Sequence, residues 1–298
     1  MALQTFRSKS FNAKSLGLIE SCNEVIDEYL EQGLSLTLRQ LYYQLVTKNI
    51  IENKEQSYKN LSSLVSDARL AGKMDWGAIE DRGRQPTVPS EFEDLPTLVD
   101  VALSSYRLPR WKGQNSYVEL WVEKDALSGV LRPVAHKHHI VLAVNKGYSS
   151  QSAMYEASKR FIDECDSGEI KDPVLLYFGD HDPSGEDMVR DIRERLEMYG
   201  VENIDVRKIA LTMEQIEKYN PPPNPAKVTD PRAAAYIEKY GDNSWELDAL
   251  KPEILVSLIN KAILELVDMA KMKKIIAQEE LDKKELTKAV ELIMKKRK

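Results

Sequence analysis

The chain has 298 residues, 42% of them hydrophobic and 30% charged, with a formal net charge of −6. That composition excludes a disordered chain, and the length predicts more than one domain. No apolar run nears the roughly 20 residues of a membrane span, "MALQTFRSKSFNAK" lacks a secretion signal's apolar core, and Cys22 and Cys165 alone cannot make a disulfide framework or a Cys-rich zinc site, so a cytoplasmic protein without a membrane partner is expected.

Residues 14–31 carry Leu18, Ile19, Cys22, Val25, Ile26, Tyr29 and Leu30 at helical spacing, and Gly33 stops that helix. Thr37 can cap a second helix, "LRQLYYQLVTKN". A third lies in "SYKNLSSLVSDARLAGK", with Ser57 as cap and Gly72 as terminator, and "MDWGAIEDRGRQP" then reads as an extended or hairpin segment. Three short helices followed by a hairpin is the layout of a winged helix-turn-helix domain, expected over residues 1–84. Its third helix would present Lys59, Ser62, Ser63, Ser66 and Arg69.

Pro86, Pro89, Pro96 and Pro109 mark residues 85–115 as a linker. From residue 116 the pattern changes. "SYVELWVEK", "HIVLAVNKG", "DPVLLYFGD" and "IDVRKIAL" read as strands, and "LSGVLRPVAHKH", "SSQSAMYEASKRFIDEC" and "SGEDMVRDIRERLEMYG" as the helices between them. Alternation of this kind predicts an α/β domain over 116–250, a parallel sheet covered on both faces. "NPPPNPAK" is a loop, and 251–298 are expected as C-terminal helices ending in "KKRK".

Two predicted strands end in acid. "VELWVEK" delivers Glu123, and "LLYFGDHDPSG" delivers Asp180, with Asp182 on the turn that Pro183 and Gly185 favour. Ligands of an open parallel sheet collect beyond the carboxyl ends of its strands. Carboxylates drawn together there repel, so a divalent cation with oxygen ligands, Mg2+ or in its place Mn2+, is the expected partner. The plainer alternative makes Asp182 and Ser184 helix caps and the acids solvated.

"WVEKDAL" followed by "GDHDPSG" resembles a Toprim domain, the metal-binding α/β module of topoisomerases, primases and some nucleases. Between them, "VNKGYSSQSAMYEA" resembles the strand-to-helix turn of the topoisomerase VI A-subunit branch, and "WELDAL" resembles a later acidic segment of that branch. The resemblance covers roughly residues 35–84 and 116–250. It implies Glu123, Asp180 and Asp182 as metal ligands, with Glu246 and Asp248 as further acids. The sequence departs from the family at His181, where a small residue is usual; a phosphate contact, proton transfer or simple tolerance would each accommodate it.

"TLRQLYYQLV" resembles the nucleophile helix of the same branch and of its meiotic double-strand-break relative. That implies Tyr43 as the residue that attacks a phosphodiester, Tyr42 as the alternative, and Arg39 as a phosphate anchor. A phenol with a pKa near 10 needs such help, and a guanidinium and a bound cation lower the cost of its developing charge. Adjacent residues on a helix point about 100° apart, so only one tyrosine can face a given site. The alternative is that both pack in a helical core. Residues 35–84 hold eight Lys/Arg and six Asp/Glu, a window of about +2, and Lys59, Arg69, Lys73, Arg82 and Arg84 could meet phosphates of double-stranded DNA. The resemblance implies a homodimer that cuts both strands, cytoplasmic and nucleoid-associated in a prokaryote, and allows an ATPase subunit on a separate chain. A nuclease using water, with structural tyrosines, and a non-enzymatic DNA-binding regulator are the competing expectations.

Overall fold

The computed structural model describes residues 3–79, 89, 91–145, 147–165 and 171–296, the last four of these without their side chains. Three helices come first. α1 (Ala13–Leu30) is capped by Asn12, whose side chain accepts from the Ser15 N–H, and buries Ile19, Cys22, Val25, Ile26 and Tyr29. α2 (Leu38–Thr47) starts on a reciprocal capping box between Thr37 and Gln40. α3 (Glu55–Leu70) begins two residues before Ser57, behind Lys54, so Ser57 lies within the helix and is not its cap. Gly33 and Gly72 end α1 and α3 with φ of +70° and +68°, a conformation that costs glycine nothing.

Apolar faces of the three helices close on one another in a cluster that includes Leu41, Leu45, Leu61 and Val65. Of the expected hairpin, residues 74–79 form a turn in which Asp75 accepts from the Gly77 N–H at 2.7 Å, then a single parallel bridge from Ile79 to Leu36. Residues 80–86 lie outside the described residues. What stands in the structure is therefore a set of N-terminal helices.

The segment expected as linker contains a helix, α4 (Leu95–Ser105). Asp94 caps it and Pro96 sits in its first turn, where a missing N–H costs nothing, so this proline starts structure instead of breaking it.

Four strands, β1 (Ser116–Val122), β2 (Val141–Val144), β3 (Asp172–Phe178) and β4 (Asp205–Ala210), make one parallel sheet in the order β2-β1-β3-β4. Alternation along β1 and β3 sends residues to opposite faces. Val118, Leu120, Val122, Val174, Leu176 and Phe178 pack against α5 (Asp125–His138) and, later in the chain, α10 (Pro252–Leu264). Tyr117, Trp121, Leu175 and Tyr177 pack against α6 (Gln151–Cys165) and α7 (Pro183–Met198). β1 and β3 are thus apolar on both sides, as central parallel strands must be. One exception is Glu119, fully buried beneath α6, which accepts from Tyr117 Oη at 2.9 Å, Trp121 Nε1 at 2.8 Å, and Arg160 Nε and Nη2 at 2.8 and 3.0 Å.

After β4 come α8 (Met213–Tyr219), α9 (Ala233–Tyr240), a two-residue pairing of β5 (Asn224–Pro225) with β6 (Asn243–Ser244), and a 3-10 turn at Leu247–Ala249. Ala249 of that turn joins the core of the N-terminal helices, which brings α2 against the end of the sheet domain. α11 (Met269–Lys296) closes the chain and is pinned by buried Glu279, which accepts from Arg110 and from the Leu108 N–H, both at 3.0 Å.

Candidate metal and phosphate site

The strand order reverses between β1 and β3: the chain passes from β1 to β2 on one side and from β3 to β4 on the other. Beyond the carboxyl ends at such a switch point a parallel sheet leaves a crevice. Glu123 directly follows β1 and Asp180 follows β3 after one glycine. The Asp180 N–H donates to Glu123 Oε2 at 3.2 Å, and Tyr177 Oη donates to the same oxygen at 3.3 Å. Two glycines make this turn possible. A Cβ on Gly179 would stand 2.4 Å from Tyr177 Oη, and one on Gly185 would stand 2.2 Å from the Asp180 carbonyl oxygen. The spacing of "GDHDPSG" is therefore steric: α7 begins hard against the backbone that carries Asp180.

Asp182 is the N-cap of α7, its Oδ1 accepting from the Gly185 N–H at 2.6 Å and from Ser184 Oγ at 2.9 Å. Both bonds fall on one oxygen, so Oδ2 lies outside the cap. His181 is buried and structural. Its Nδ1 is 2.7 Å from Tyr236 Oη, its backbone pairs with Trp245 in both directions, and the rings of Tyr236, Tyr240 and Trp245 surround it. Burial pushes its pKa down. Through these contacts His181 fastens residues 236–245 over the turn.

That fastening delivers two more acids. Trp245 is bridged to His181, and Glu246 and Asp248 follow it. Asp180 Oδ1 accepts from the Leu247 N–H at 2.8 Å. At the centre sits Lys124, whose Nζ lies 2.6 Å from Asp180 Oδ2 and 3.6 Å from Asp248 Oδ2 and touches Glu246 Oε2. Arg39 reaches in from α2, with Nη2 at 2.8 Å from Glu246 Oε2 and Nε at 3.4 Å from Asp248 Oδ2. Among the described residues the fully buried Asp248 carboxylate is met by these two cations at ion-pair distance and by no shorter hydrogen bond.

The charges respond accordingly. Burial pushes Asp180 up, Lys124 opposes it, and Glu246 and Glu123 add to it, leaving the carboxyl at about 7. Burial also raises Asp248. Glu246 goes the other way: burial would raise it, but Lys124 and Arg39 hold it at about 2. Lys124 is held protonated by the same acids in spite of burial.

The tyrosines take different partners although their rings meet edge to face, 5.2 Å between centroids. Tyr42 Oη donates to Asn53 Oδ1 at 3.0 Å and lies 3.2 Å from the Lys54 carbonyl oxygen. Tyr43 lies on the acidic side. The Arg39 guanidinium is 5.8 Å from its ring centroid, and its phenol bonds the Asn224 side chain. Burial raises the Tyr43 pKa and Glu246 adds to this, while Arg39, the Asn224 bond and Lys124 lower it.

Three of the expected DNA-binding residues are described. Lys59 is exposed and paired with Glu55 at 2.7 Å, and Lys73 is exposed at the end of α3. Arg69 stacks 4.5 Å from the Trp76 ring and donates to the carbonyls of Trp76 and Ile79, so it shapes the chain after α3. Arg82 and Arg84 lie outside the described residues.

A divalent ion fits this donor set by chemistry more than by ready-made placement. The donors are all hard carboxylate oxygens, and two of the acids, Asp180 and Asp248, are pushed up chiefly by their burial. Yet among the described residues no three His, Cys, Asp or Glu side chains stand as a finished metal cage. The reason is visible: Asp180 is turned to Lys124, and Asp182 to the α7 N-terminus. Sequence reasoning missed Lys124 as the hub; its position directly after the strand-end Glu123 was the available signal. No family model, no curated protein and no solved structure matches this chain.

Proposed function

We propose that this chain is a Mg2+-dependent DNA-cleaving transesterase of the topoisomerase VI A-subunit type, a winged-helix module joined to a Toprim-type sheet, in which Tyr43 attacks the phosphodiester. The observation that carries it is Arg39: one side chain on the helix of Tyr43 joins that ring to Glu246 and Asp248, and Lys124 continues the contact to Asp180 at the rim of the sheet. Glu123 and Asp180 would hold the ion, with Asp182 offering the oxygen outside its cap. When bound, the ion supplies positive charge to a phosphate oxygen.

The chain's own residues do the rest. Arg39 lowers the cost of charge on the Tyr43 oxygen and stands ready for a phosphate oxygen, provided Glu246 yields it. The phenolic oxygen forms the new bond to phosphorus and its proton goes to water. The bond from phosphorus to the 3′ oxygen breaks, that oxygen takes up a proton, and the protein stays on the 5′ end. The link is close in energy to the bond it replaces, so resealing needs no nucleotide.

One observation favours a second reading. Tyr43 is 6% exposed and its phenol is pushed up by burial, which suits a packing residue and leaves water as the nucleophile of a Toprim nuclease. Supercoiled double-stranded DNA incubated with Mg2+ or Mn2+, quenched with detergent and divided with and without protease, separates the two. Covalent protein on 5′ ends, absent in Tyr43→Phe and retained in Tyr42→Phe, is the expected result. Protein-free ends together with an active Tyr43→Phe would establish the nuclease instead. Unchanged DNA under every condition would leave a DNA-binding regulator.

A further inference from the structure

We propose that Asn224 is a further catalytic residue, whose side-chain amide donates to the Tyr43 oxygen and steadies the negative charge that oxygen develops. Asn53 and Tyr42 are the positioning residues that aim it. The inference rests on Tyr43 as nucleophile, and it gives Tyr42 a part in the reaction other than attack.

Asn224 stands in the proline-rich loop between α8 and α9, with Pro223 before it and Pro225 after it. A residue ahead of proline is confined to extended backbone, and proline fixes its own φ, so this stretch has little freedom left to lose. The pairing of β5 with β6 sets Asn224 opposite Ser244, two residues before Glu246. The loop is thus anchored to the strand that leads into the acids.

Hydrogen bonding fixes which way each amide faces. A backbone carbonyl can only accept. One side-chain atom of Asn53 lies 3.2 Å from the Pro223 carbonyl oxygen and 2.5 Å from the Asn224 side chain, and the carbonyl makes that atom Nδ2. The other atom is then Oδ1, which accepts from Tyr42 Oη at 3.0 Å. Asn53 Nδ2 in turn needs Asn224 Oδ1 as its acceptor. Asn224 therefore keeps its N–H groups for the Tyr43 phenol, which its side chain bonds. The order runs from the Tyr42 hydroxyl to Asn53, from Asn53 to Asn224 and from Asn224 to Tyr43.

The Asn53–Pro223 bond already ties the loop to the N-terminal helices, so fastening alone does not account for the Asn224 donor. Contact with Asn224 lowers the Tyr43 pKa, as donation to a phenolate oxygen must, together with Arg39 and Lys124 and against burial and Glu246. Arg39 is shared with Glu246 and Asp248, whereas a neutral amide is not drawn off by those acids. Asn224 neither gives nor takes a proton; the phenol still loses its own to water.

Replacing Tyr43 of the full chain by difluorotyrosine lets fluorine NMR follow that one phenol, which then titrates without strong alkali. Asn224→Ala should raise its midpoint by about 1 pH unit, the worth of one hydrogen bond to a charged oxygen. Tyr42→Phe and Asn53→Ala should raise it by less, and neither should raise it further in a chain already carrying Asn224→Ala. Should Asn224→Ala not fold, Asn53→Ala leaves Asn224 present but unaimed, and its upward shift decides. With natural Tyr43, covalent protein on DNA ends should form about 10-fold more slowly in Asn224→Ala at neutral pH. An unmoved midpoint in the folded variant would overturn the proposal and leave the transesterase reading intact. Wild type that forms no covalent protein would refute the transesterase reading, and the catalytic role of Asn224 with it, even where the midpoint moves.

Discussion

Asp248→Asn is expected to stabilise the protein in the absence of divalent ions. Carboxamide and carboxylate have nearly the same shape, so the change is one of charge. Ionised Asp248 loses its hydration on folding and, among the described residues, gains only the two long ion pairs in return. Arg39 at 3.4 Å and Lys124 at 3.6 Å attract it, by about 5 kcal/mol each at an effective dielectric of 20. Glu246 competes for both cations and repels Asp248, and the two cations repel one another, so most of that attraction is offset. What remains is a buried carboxylate with unmade hydrogen bonds, a penalty of about 1–3 kcal/mol. Urea unfolding in EDTA should therefore show Asp248→Asn more stable by about 1–2 kcal/mol at neutral pH. The pH dependence has a definite sign. Burial raises the Asp248 pKa in the folded state above its ordinary value, so the folded chain holds that proton to higher pH than the unfolded chain does. Below about pH 4 the carboxyl is protonated in both states and the two proteins should match; the advantage of asparagine should grow as pH rises from there. An asparagine variant less stable than wild type by more than about 1 kcal/mol in EDTA would refute the reasoning and make Asp248 a structural partner of Arg39 and Lys124.

Three other outcomes follow from the packing. Glu119→Ala strips a half-exposed Arg160 fork, a buried phenol and an indole N–H of their acceptor, and should cost about 1–3 kcal/mol in the same urea assay; an unchanged stability would mean the network is not formed. Gly185→Ala drives a Cβ into the Asp180 carbonyl, so it should cost about 1–3 kcal/mol and weaken Mn2+ binding as Asp180 shifts, whereas Gly17→Ala, with nothing within 4 Å, should do neither. The Cys22 thiol is buried and pushed up to about 12, while Cys165 is partly exposed; a thiol reagent at pH 8 should label Cys165 first and Cys22 only on unfolding. Equal labelling rates would contradict the packing of α1.

Local signals carried well wherever the deciding interaction was short-range. The Thr37 capping box, the glycines that end α1 and α3, and the four strands alternating with helices are all written within a few residues of where they act. Pro96 gave no sign of α4, because proline begins a helix as readily as it breaks one and the difference lies in Asp94 capping ahead of it. Ser57 misled because the first turn of α3 forms without any side-chain cap. Glu119 was invisible as a buried charge, since its partner Arg160 lies a strand and a helix further on.

The acids themselves were legible: strand-end Glu123 and the Asp180/Asp182 pair fall out of hydrophobic pattern and turn chemistry, because a strand's carboxyl end fixes where its next residue must go. That Lys124 sits among them, and how Tyr43, Glu246 and Asp248, which the resemblance only suggested, are placed beside them, depend on tertiary packing. Those facts depend on how α2 rotates against the 3-10 turn at Leu247–Ala249 and on the His181–Trp245 bridge that carries the turn there. Contacts between residues some two hundred positions apart are fixed by the closure of the whole core, and no local stretch of sequence encodes them.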